Sequence, residues 1–267
     1  MVAFAVHPLA APAARAPHPV SAATVVIPAR YASTRLPGKP LADLGGQPMI
    51  EHVYRRAARA ETVDRVIVAT DDTRIADVVT AFGGDARLTR REHATGSDRL
   101  AEIARGLTCD VIVNVQGDEP LIAPPLIDAV VARLAADPTL QIATVRCPIR
   151  DPQELSNPHV VKVVVDARGD ALYFSRAAIP YRRGNAPGPA PHGDRHIGLY
   201  AYRRACLLDL AARTPTRLEQ LEQLEQLRAL ESGYRIATVA SDTNPIGVDT
   251  PDDLERVRRL LATGAPE

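Results

Sequence analysis

Residues 25–49 read VVIPARYASTRLPGKPLADLGGQPM. This segment contains the first predicted strand and the loop that follows it. It opens with Val25, Val26 and Ile27, an apolar and β-branched run that predicts a buried strand. Pro28 is expected to end this strand, because proline has no N–H to donate to a neighbouring strand. A polar loop, stiffened by proline and glycine, follows directly.

The loop after this strand carries three cations within ten residues: Arg30, Arg35 and Lys39. Arginine offers a planar fork of donors and lysine a compact charge, and together they can neutralise the charge of a triphosphate. A solvated basic loop is the ordinary alternative for such a cluster. The phosphate-binding interpretation is favoured because the loop leaves a buried strand directly and its prolines and glycine stiffen it.

Bulk composition limits the class of protein. The chain has 267 residues, 46% hydrophobic and 24% charged, which suits one large domain or a large domain with a smaller lobe. Lysine and arginine together number 32, as do aspartate and glutamate, so the formal net charge is zero. This balance argues against a general nucleic-acid or membrane-surface binder. No apolar run approaches the length of a membrane span.

The cysteines and the first residues bear on the compartment. Cys109, Cys147 and Cys206 match no metal-binding spacing, and each lies beside apolar residues. We expect buried, reduced thiols and therefore a cytoplasmic protein. Residues 1–22 are rich in alanine and proline and lack the basic start and long apolar centre of a signal peptide. They are predicted to be a disordered tail ahead of a domain spanning 23–267.

Strand and helix patterns alternate along much of the chain. Further strands are expected at 65–70, 86–88, 110–115, 141–147 and 235–240, and helices at 48–60, after Asp71 or Asp72, after Thr95 or Ser97, at 125–136 and from Pro251. This alternation predicts an α/β fold with a mostly parallel sheet and helices on both faces. The chain has no G-x-G-x-x-G after the first strand and no Walker pattern, which disfavours an ordinary dinucleotide fold or P-loop.

The pattern changes at 150–205. Strands at 160–166, 171–175 and 196–202, joined by turns, predict a smaller, partly antiparallel lobe inserted over the crevice. Residues 181–194 are rich in proline and glycine and are predicted to be a mobile loop. Further on, leucine recurs at every third position of 218–230, which predicts a short helix rather than a coiled coil.

Two polar segments follow predicted strands. The sequence QGDEP at 116–120 comes after the most strand-like run, and ligands of open α/β sheets gather beyond the carboxyl ends of strands. Asp118 and Glu119 are therefore predicted to face this crevice, where a carboxylate suits Mg²⁺, since Mg²⁺ takes one or two carboxylates together with substrate phosphates. A plain turn is the alternative. The segment TGSDR at 95–99 could hold an anion at a helix start, or could be a simple cap beside a solvated Arg99.

These motifs resemble the sugar-activating cytidylyltransferases, in particular the 3-deoxy-manno-octulosonate (Kdo) cytidylyltransferase family, also called CMP-Kdo synthetases. The resemblance runs from IPARYASTRLPGKPL near the start to GVDTPDDLERVR near the end and covers about residues 24–261. It implies a nucleotide-diphospho-sugar transferase-like fold, CTP and Kdo as substrates, a Mg²⁺ cofactor and a homodimer. The implied product is CMP-Kdo, which serves lipopolysaccharide biosynthesis.

The resemblance also assigns functional residues. Catalysis would depend on Lys39, Asp118 and Asp249, with Asp118 and the Asp249 of GVDTP as the metal ligands. The nucleotide would contact Pro28, Ala29, Arg30, Arg35, Lys39, Ser97 and Gln116. The sugar would contact Arg99, Gln116, His196 and Tyr200 of RHIGLY, Glu225 and Gln226.

Two alternatives stay open. A cytidylyltransferase for another acidic sugar, such as sialic acid, would share the basic loop, and a panel of substrates would separate the two. A catalytically silent paralogue could bind nucleotide as a regulator. The presence of Lys39, Asp118 and Asp249 argues against that second alternative, and a pyrophosphate-release assay would decide it.

Overall fold

The computed structural model describes residues 23–32, 36–93, 95–184, 193–243 and 245–263. The strands are β1 Ala23–Ala29, β2 Asp43–Leu44, β3 Gln47–Pro48, β4 Val63–Thr70, β5 Asp85–Leu88, β6 Val111–Asn114, β7 Ile142–Pro148, β8 Lys162–Val165, β9 Ala171–Ser175, β10 Asp194–Arg203 and β11 Ile236–Ala240. The helices are α1 Met49–Ala57, α2 Thr73–Ala81, α3 Gly96–Arg105, α4 Pro124–Ala136, α5 Pro152–Ser156, α6 Arg204–Ala212, α7 Arg217–Glu222, α8 Gln226–Glu231 and α9 Pro251–Thr263. A short 3-10 helix, Lys39–Leu41, precedes β2. The predicted tail 1–22 and much of the predicted mobile loop lie outside the described residues.

A single large sheet forms the centre of the fold. Its strands run in the order β11-β7-β10-β6-β1-β4-β5, and β8 and β9 are attached through β10. Strand β1 pairs in parallel with β4 and β6, and β10 is antiparallel to its neighbours β6 and β7. Within the described ranges, no helix combines the length and the apolar character needed to cross a bilayer.

Both faces of the sheet are covered by helices. Val25 and Ile27 of β1 pack in one apolar cluster with Ile50 of α1, whereas Val26 packs on the opposite face with Leu100 of α3. Successive side chains of a strand point to opposite faces, so a continuous apolar run such as this one needs helices on both sides. The predicted α/β fold class is confirmed.

Strand β1 continues through Pro28, which the sequence predicts as its end. Pro28 pairs with Ala69 of β4, while the ladder between β1 and β6 covers only Thr24–Val26. Because β1 has already separated from β6 at this point, the missing N–H of proline breaks no bond on that side. The predicted strand end is therefore wrong by two residues.

Helix α1 is shorter than predicted, running from Met49 to Ala57. Pro48 stands just before the helix and pairs with Asp43 in the two-residue hairpin β2–β3. Gly45 and Gly46 form the turn of this hairpin, with φ angles of 67° and 89° that only glycine adopts without strain.

The segment predicted as a covering lobe contributes to the central sheet. Strand β10 lies within it, between β6 and β7, and the antiparallel hairpin β8–β9 extends from β10. The turn of this hairpin contains Gly169 at φ 82°. The division of the chain into a tail, a domain and an inserted lobe stays a prediction.

The leucine-rich run at 218–230 forms two short helices, so the prediction of one helix is wrong. Helix α7 ends at Glu222, Gln223 adopts a left-handed conformation at φ 54°, and α8 begins at Gln226. Leucine at every third position drifts around a continuous helix and cannot keep one face buried. The break buries Leu224 and Leu227 and leaves Leu221 exposed.

A buried ion pair joins α7 to α8. Nε and Nη2 of Arg228 donate to Oε2 and Oε1 of Glu219 at 2.8 and 2.5 Å, and both residues are buried. Removing one partner leaves the other charge buried and unpaired, so we expect Arg228→Met to lower the free energy of unfolding by about 3 kcal/mol. The double variant that combines Arg228→Met with Glu219→Gln should lose less of this free energy than Arg228→Met alone. Urea unfolding measures both, and a double variant less stable than the single one would contradict this account.

Candidate active site

Lys39 joins two acidic residues that are far from it in the sequence. Its Nζ donates to Oδ2 of Asp118 at 2.6 Å and to Oδ1 of Asp249 at 3.2 Å. The Lys39 side chain is only 15% exposed, whereas that of Asp249 is 53% exposed, so the pair with Asp118 is the better shielded from water. Burial alone would lower the pKa of Lys39, but the two carboxylates outweigh burial and the pKa is raised. Lys39 is therefore charged at neutral pH.

Gly38 fixes the position of Lys39 at the carboxyl end of β1. It has a φ of 68°, and its N–H donates to the carbonyl of Tyr31 at 3.0 Å, which closes the basic loop on itself. A Cβ at this position would lie 3.2 Å from the Tyr31 ring. Only glycine meets both conditions without strain, and the 3-10 helix that carries Lys39 begins immediately afterwards.

Asp118 is brought to the basic loop by a close approach of two backbones. A Cβ on Gly117 would lie 2.9 Å from the carbonyl oxygen of Pro28, closer than a side chain can sit. The carbonyl of Asp118 accepts a hydrogen bond from the N–H of Val248 at 2.8 Å. The loops after β1 and β6 and the segment before α9 therefore meet at one point.

Asp249 is held between a buried residue and a helix start. Val248 on one side is fully buried, and on the other side Thr250 Oγ1 donates to Oδ2 of Asp253 at 2.8 Å ahead of α9. The N–H of Asp249 donates to the same oxygen at 3.1 Å. Asp253 thus fixes the backbone on which Asp249 faces Lys39.

A cavity of about 390 Å³, here called the first cavity, surrounds Lys39. Its lining includes residues from the predicted nucleotide set and both predicted metal ligands: Pro28, Ala29, Arg30, Lys39, Gln116, Asp118 and Asp249. Nη2 of Arg30 donates to the carbonyl of His93 at 2.6 Å, which fixes the guanidinium at the rim. Arg35 lies outside the described residues.

A second cavity of about 350 Å³ adjoins the first and shares Gly96 and Gln116 with it. Its lining includes most of the predicted sugar set: Gln116, His196, Tyr200, Glu225 and Gln226. Ser97, which the resemblance assigns to the nucleotide, lines this second cavity and not the first. The contact of Ser97 with the nucleotide stays a prediction.

Burial disfavours the charged forms of three groups that line the second cavity. It lowers the pKa of His196 to about 3 and raises that of Tyr200 well above its usual range. Burial also raises the pKa of Glu225, although a hydrogen bond from Ser97 partly opposes it. His196 packs edge-on against Phe174, and its Nε2 lies 3.0 Å from Oγ1 of Thr144. Such a surface suits a ligand that is rich in hydroxyl groups.

The low pKa of His196 predicts that the fold loses stability in mild acid. An unfolded histidine takes up a proton near pH 6.5, whereas folded His196 does so only near pH 3. The stabilising contribution of neutral His196 is therefore fully present above pH 6.5 and is lost as the pH falls toward 3. At pH 5 the free energy of unfolding is lower by about 2 kcal/mol. Urea unfolding at pH 7 and pH 5 should show a smaller loss for His196→Gln than for the wild type. Equal losses would contradict the prediction.

Arg99 does not line either cavity, so its predicted contact with the sugar is absent from this structure. The side chain is fully buried, Nη1 donates to the hydroxyl of Thr89, and Nη2 lies 3.4 Å from Oδ1 of Asp71. Burial lowers the pKa of Arg99, although Asp71 opposes that shift. The guanidinium joins the loops that follow β4 and β5.

Sequence reasoning missed several residues of the second cavity, among them Asn114 and Arg195. Asn114 is buried, and its Oδ1 has no hydrogen-bond partner among the described residues. It stands two positions before Gln116, so the period-two alternation of a strand could have placed both on the same side. Arg195 directly precedes His196 in the RHIGLY motif and pairs with Glu154 at 3.3 Å.

Glu119 lies beside the cluster around Lys39. Burial, together with the neighbouring Asp118, raises the pKa of Glu119 to about 8. Its Oε2 is buried without a hydrogen-bond partner in the described part of the chain. The carboxyl group is therefore largely protonated at neutral pH and adds little negative charge to the cluster.

The donor set of the first cavity fits a magnesium ion that is bound together with phosphates. Among the described residues, no group of three or more histidine, cysteine, aspartate or glutamate side chains is arranged to hold a metal. Asp118 and Asp249 nevertheless reach one and the same cation, the Lys39 ammonium. Two converging carboxylates are what Mg²⁺ takes from a protein when phosphate oxygens supply further ligands.

Comparison with known proteins gives a consistent result. A family model described as cytidylyltransferase matches residues 24–236. A 3-deoxy-manno-octulosonate cytidylyltransferase from Syntrophotalea carbinolica is 56% identical over 244 residues, which cover 89% of this chain and 98% of that protein. The protein of the same name from Pelobacter propionicus is 53% identical, with coverage of 88% and 95%.

Solved structures show the same relationship. The structure of a CMP:2-keto-3-deoxy-manno-octonic acid synthetase complexed with CTP superimposes with a TM-score of 0.87 at 46% identity, covering 91% of this chain and 100% of that one. A 4-diphosphocytidyl-2C-methyl-D-erythritol synthase from Anaerococcus prevotii gives a TM-score of 0.59 at 12% identity, covering 91% of this chain and 97% of that one. The second likeness is one of fold alone.

Proposed function

The chain belongs to the 3-deoxy-manno-octulosonate cytidylyltransferase family, and from this premise we propose how its two cavities carry out the reaction. The enzyme couples CTP to Kdo and releases CMP-Kdo and pyrophosphate. The observation that carries this function is the adjoining pair of cavities, which meet at Gln116. One holds a lysine between two carboxylates, and the other is lined by hydrogen-bonding side chains and by the cation Arg195.

CTP occupies the first cavity in this proposal. Its triphosphate lies against Lys39 and Arg30, whose charges offset the phosphate charge that would repel an incoming oxygen. Lys39 is fixed in place by Gly38 and stays protonated, so it can stabilise the negative charge that develops on the leaving pyrophosphate. The nucleotide thereby presents its α-phosphorus toward Gln116 and the second cavity.

Kdo occupies the second cavity. Neutral His196 and Tyr200, together with Glu225, hydrogen-bond its hydroxyl groups, and Arg195 supplies a cation for its carboxylate. This binding directs the anomeric hydroxyl toward the first cavity through the shared boundary at Gln116. The orientation of two bound substrates converts a bimolecular reaction into an effectively unimolecular one.

The transfer is an in-line displacement at phosphorus. The anomeric hydroxyl of Kdo loses its proton to solvent as its oxygen forms a bond to the α-phosphorus, the bond from that phosphorus to the α,β-bridging oxygen breaks, and pyrophosphate leaves with the electron pair. Asp118 and Asp249 would hold Mg²⁺, which would lower the pKa of the attacking hydroxyl and neutralise phosphate charge. No side chain acts as a nucleophile.

Pyrophosphate release tests the function directly. The protein is incubated with Mg²⁺, with CTP or UTP, and with Kdo or sialic acid in separate reactions. We expect release with CTP and Kdo and little with the other combinations. Release with sialic acid in preference to Kdo would point to the other acidic sugar, and a lack of release with every pair would point to a silent nucleotide-binding regulator.

Four finer properties belong to the same proposal. We propose that the enzyme depends on Mg²⁺, acts as a homodimer, lies in the cytoplasm and serves lipopolysaccharide biosynthesis. Convergence of Asp118 and Asp249 supports the metal. The exposed Leu172 and Tyr181, 62% and 88% accessible, support a subunit contact through the segment 150–205. Chelation by EDTA tests the metal, and light scattering after gel filtration tests the dimer.

A further inference from the structure

Lys162 is a fully buried lysine that the proposed mechanism does not use. It lies in β8, and its Nζ donates to the backbone carbonyls of Asn157, Val160 and Arg176 at 3.0, 2.6 and 2.6 Å. A lysine ammonium has three donors, so all of them are satisfied. Burying a charged group is costly unless it is hydrogen-bonded or paired, which makes this arrangement a specific one.

The three carbonyls belong to two different segments. Asn157 and Val160 lie in the turn between α5 and β8, whereas Arg176 directly follows the end of β9. One ammonium group therefore holds the start of the hairpin β8–β9 against its end. The nearest acidic influence on it is the charge of Glu222, the last residue of α7.

Glu222 continues the connection toward α7 and α8. Its carboxylate accepts hydrogen bonds from Oγ of Ser175 at 2.6 Å and from the N–H of Arg176 at 2.9 Å. The guanidinium of Arg176 donates to the carbonyls of Pro158 at 3.0 Å and Gln223 at 3.3 Å. Arg176 thus bridges the turn before β8 and the break between the two helices.

Both of these held segments line the second cavity. Residues 159–161 line it from the turn before β8, and residues 223–226 line it from the helix break. Glu225 and Gln226, from the predicted sugar set, stand on the second of these segments. Gln223 has a left-handed φ, and its carbonyl is among those that Arg176 holds. The distance between the two walls therefore depends on the cluster formed by Lys162, Arg176 and Glu222.

We propose that Lys162 is a positioning residue for the sugar, because it fixes the spacing of the two walls of the second cavity through the carbonyls it holds. The inference depends on the proposed function, in which this cavity takes Kdo. Lys162 touches neither substrate in this scheme. It acts on the sugar side of the site and leaves the first cavity unchanged.

Lys162→Met tests the proposal, since methionine keeps the length of the side chain and removes all three donors. We expect the KM for Kdo to rise at least tenfold, while the KM for CTP stays within twofold of the wild type. Glu222→Gln is the second variant, because it keeps the shape of the carboxylate but replaces one of the two oxygens that accept from Ser175 and Arg176 with an NH2 group, which donates. Its KM for Kdo should rise three- to tenfold, again with the KM for CTP unchanged.

Arg168→Met is the matched control on the same hairpin. Arg168 is 72% exposed at the turn and pairs with Asp166 and Asp170, away from the cluster. Both KM values should stay at the wild-type level in this variant. The control separates a general disturbance of the hairpin from the loss of the three hydrogen bonds that Lys162 donates.

Each outcome bears on the proposal. An unchanged KM for Kdo in folded Lys162→Met would overturn it, and so would an equal rise in both KM values. If Lys162→Met fails to fold, Glu222→Gln decides by the same two criteria. If the wild type makes no CMP-Kdo, the proposed function fails and this inference fails with it, whereas an active wild type with unaffected variants removes the inference alone.

Discussion

Asp118→Asn is expected to lower kcat about a thousandfold while the fold stays intact. The substitution removes one of the two carboxylates that converge on Lys39 and that hold Mg²⁺ in the proposed mechanism. Loss of a metal-held charge costs several kcal/mol of transition-state stabilisation, and about 4 kcal/mol corresponds to a thousandfold in rate. Asparagine has the same shape, and the backbone bond from Val248 to the carbonyl of residue 118 is retained. Steady-state pyrophosphate release at saturating Mg²⁺, CTP and Kdo measures the effect.

Two further variants make the result specific. Asp249→Asn should lower kcat in the same direction, because it removes the second carboxylate of the pair. Asp252→Asn is the matched control, since Asp252 is exposed in the first turn of α9 only three residues away. It should turn over at the wild-type rate. Near-wild-type turnover of Asp118→Asn or Asp249→Asn at saturating Mg²⁺ would refute the metal roles.

Lys39→Met is expected to lower kcat by two to three orders of magnitude, for a different reason. The variant loses the charged donor that stabilises the phosphates, an effect comparable to removing one donor to a developing anion. It also leaves Asp118 and Asp249 facing each other without the cation that now bonds to both. Two carboxylates at such short range repel, so the variant should be less stable than the wild type in EDTA.

The stability readout separates these two effects. Added Mg²⁺ should raise the Tm of Lys39→Met more than that of the wild type, because the divalent ion replaces the missing positive charge between the carboxylates. Lys39→Arg is the control that keeps the charge and should show a smaller difference. A variant with normal kcat, or with the same Tm response to Mg²⁺ as the wild type, would contradict the role assigned to Lys39.

The convergence of distant residues on one site could be predicted because it follows from strand direction. Parallel strands β1 and β6 end at the same edge of the sheet, so the loops that carry Lys39 and Asp118 must lie near each other. The pattern of apolar segments was enough to place both strands. Asp249 was harder to place, since it follows no strand directly, and only the resemblance connected its GVDTP element to the others.

The errors arise where distant parts of the chain provide the partners. The sequence predicts that Arg99 is a solvated or ligand-binding cation, but the side chain is buried. Its guanidinium pairs with Asp71 and donates to Thr89, and these two residues follow two other strands. The break at Gln223 could not be predicted from a repeat that fits a helix locally. There the tertiary contacts of Arg176 and the pairing of Glu219 with Arg228 favour two short helices.

The approach of Gly117 to the carbonyl of Pro28 leaves no room for a side chain at that point of the first cavity. Residues 159–161 and 223–226 line the second cavity and not the first. A lineage can therefore acquire a new acceptor by substitutions in these two segments that leave the lining of the first cavity, Asp249 included, unchanged.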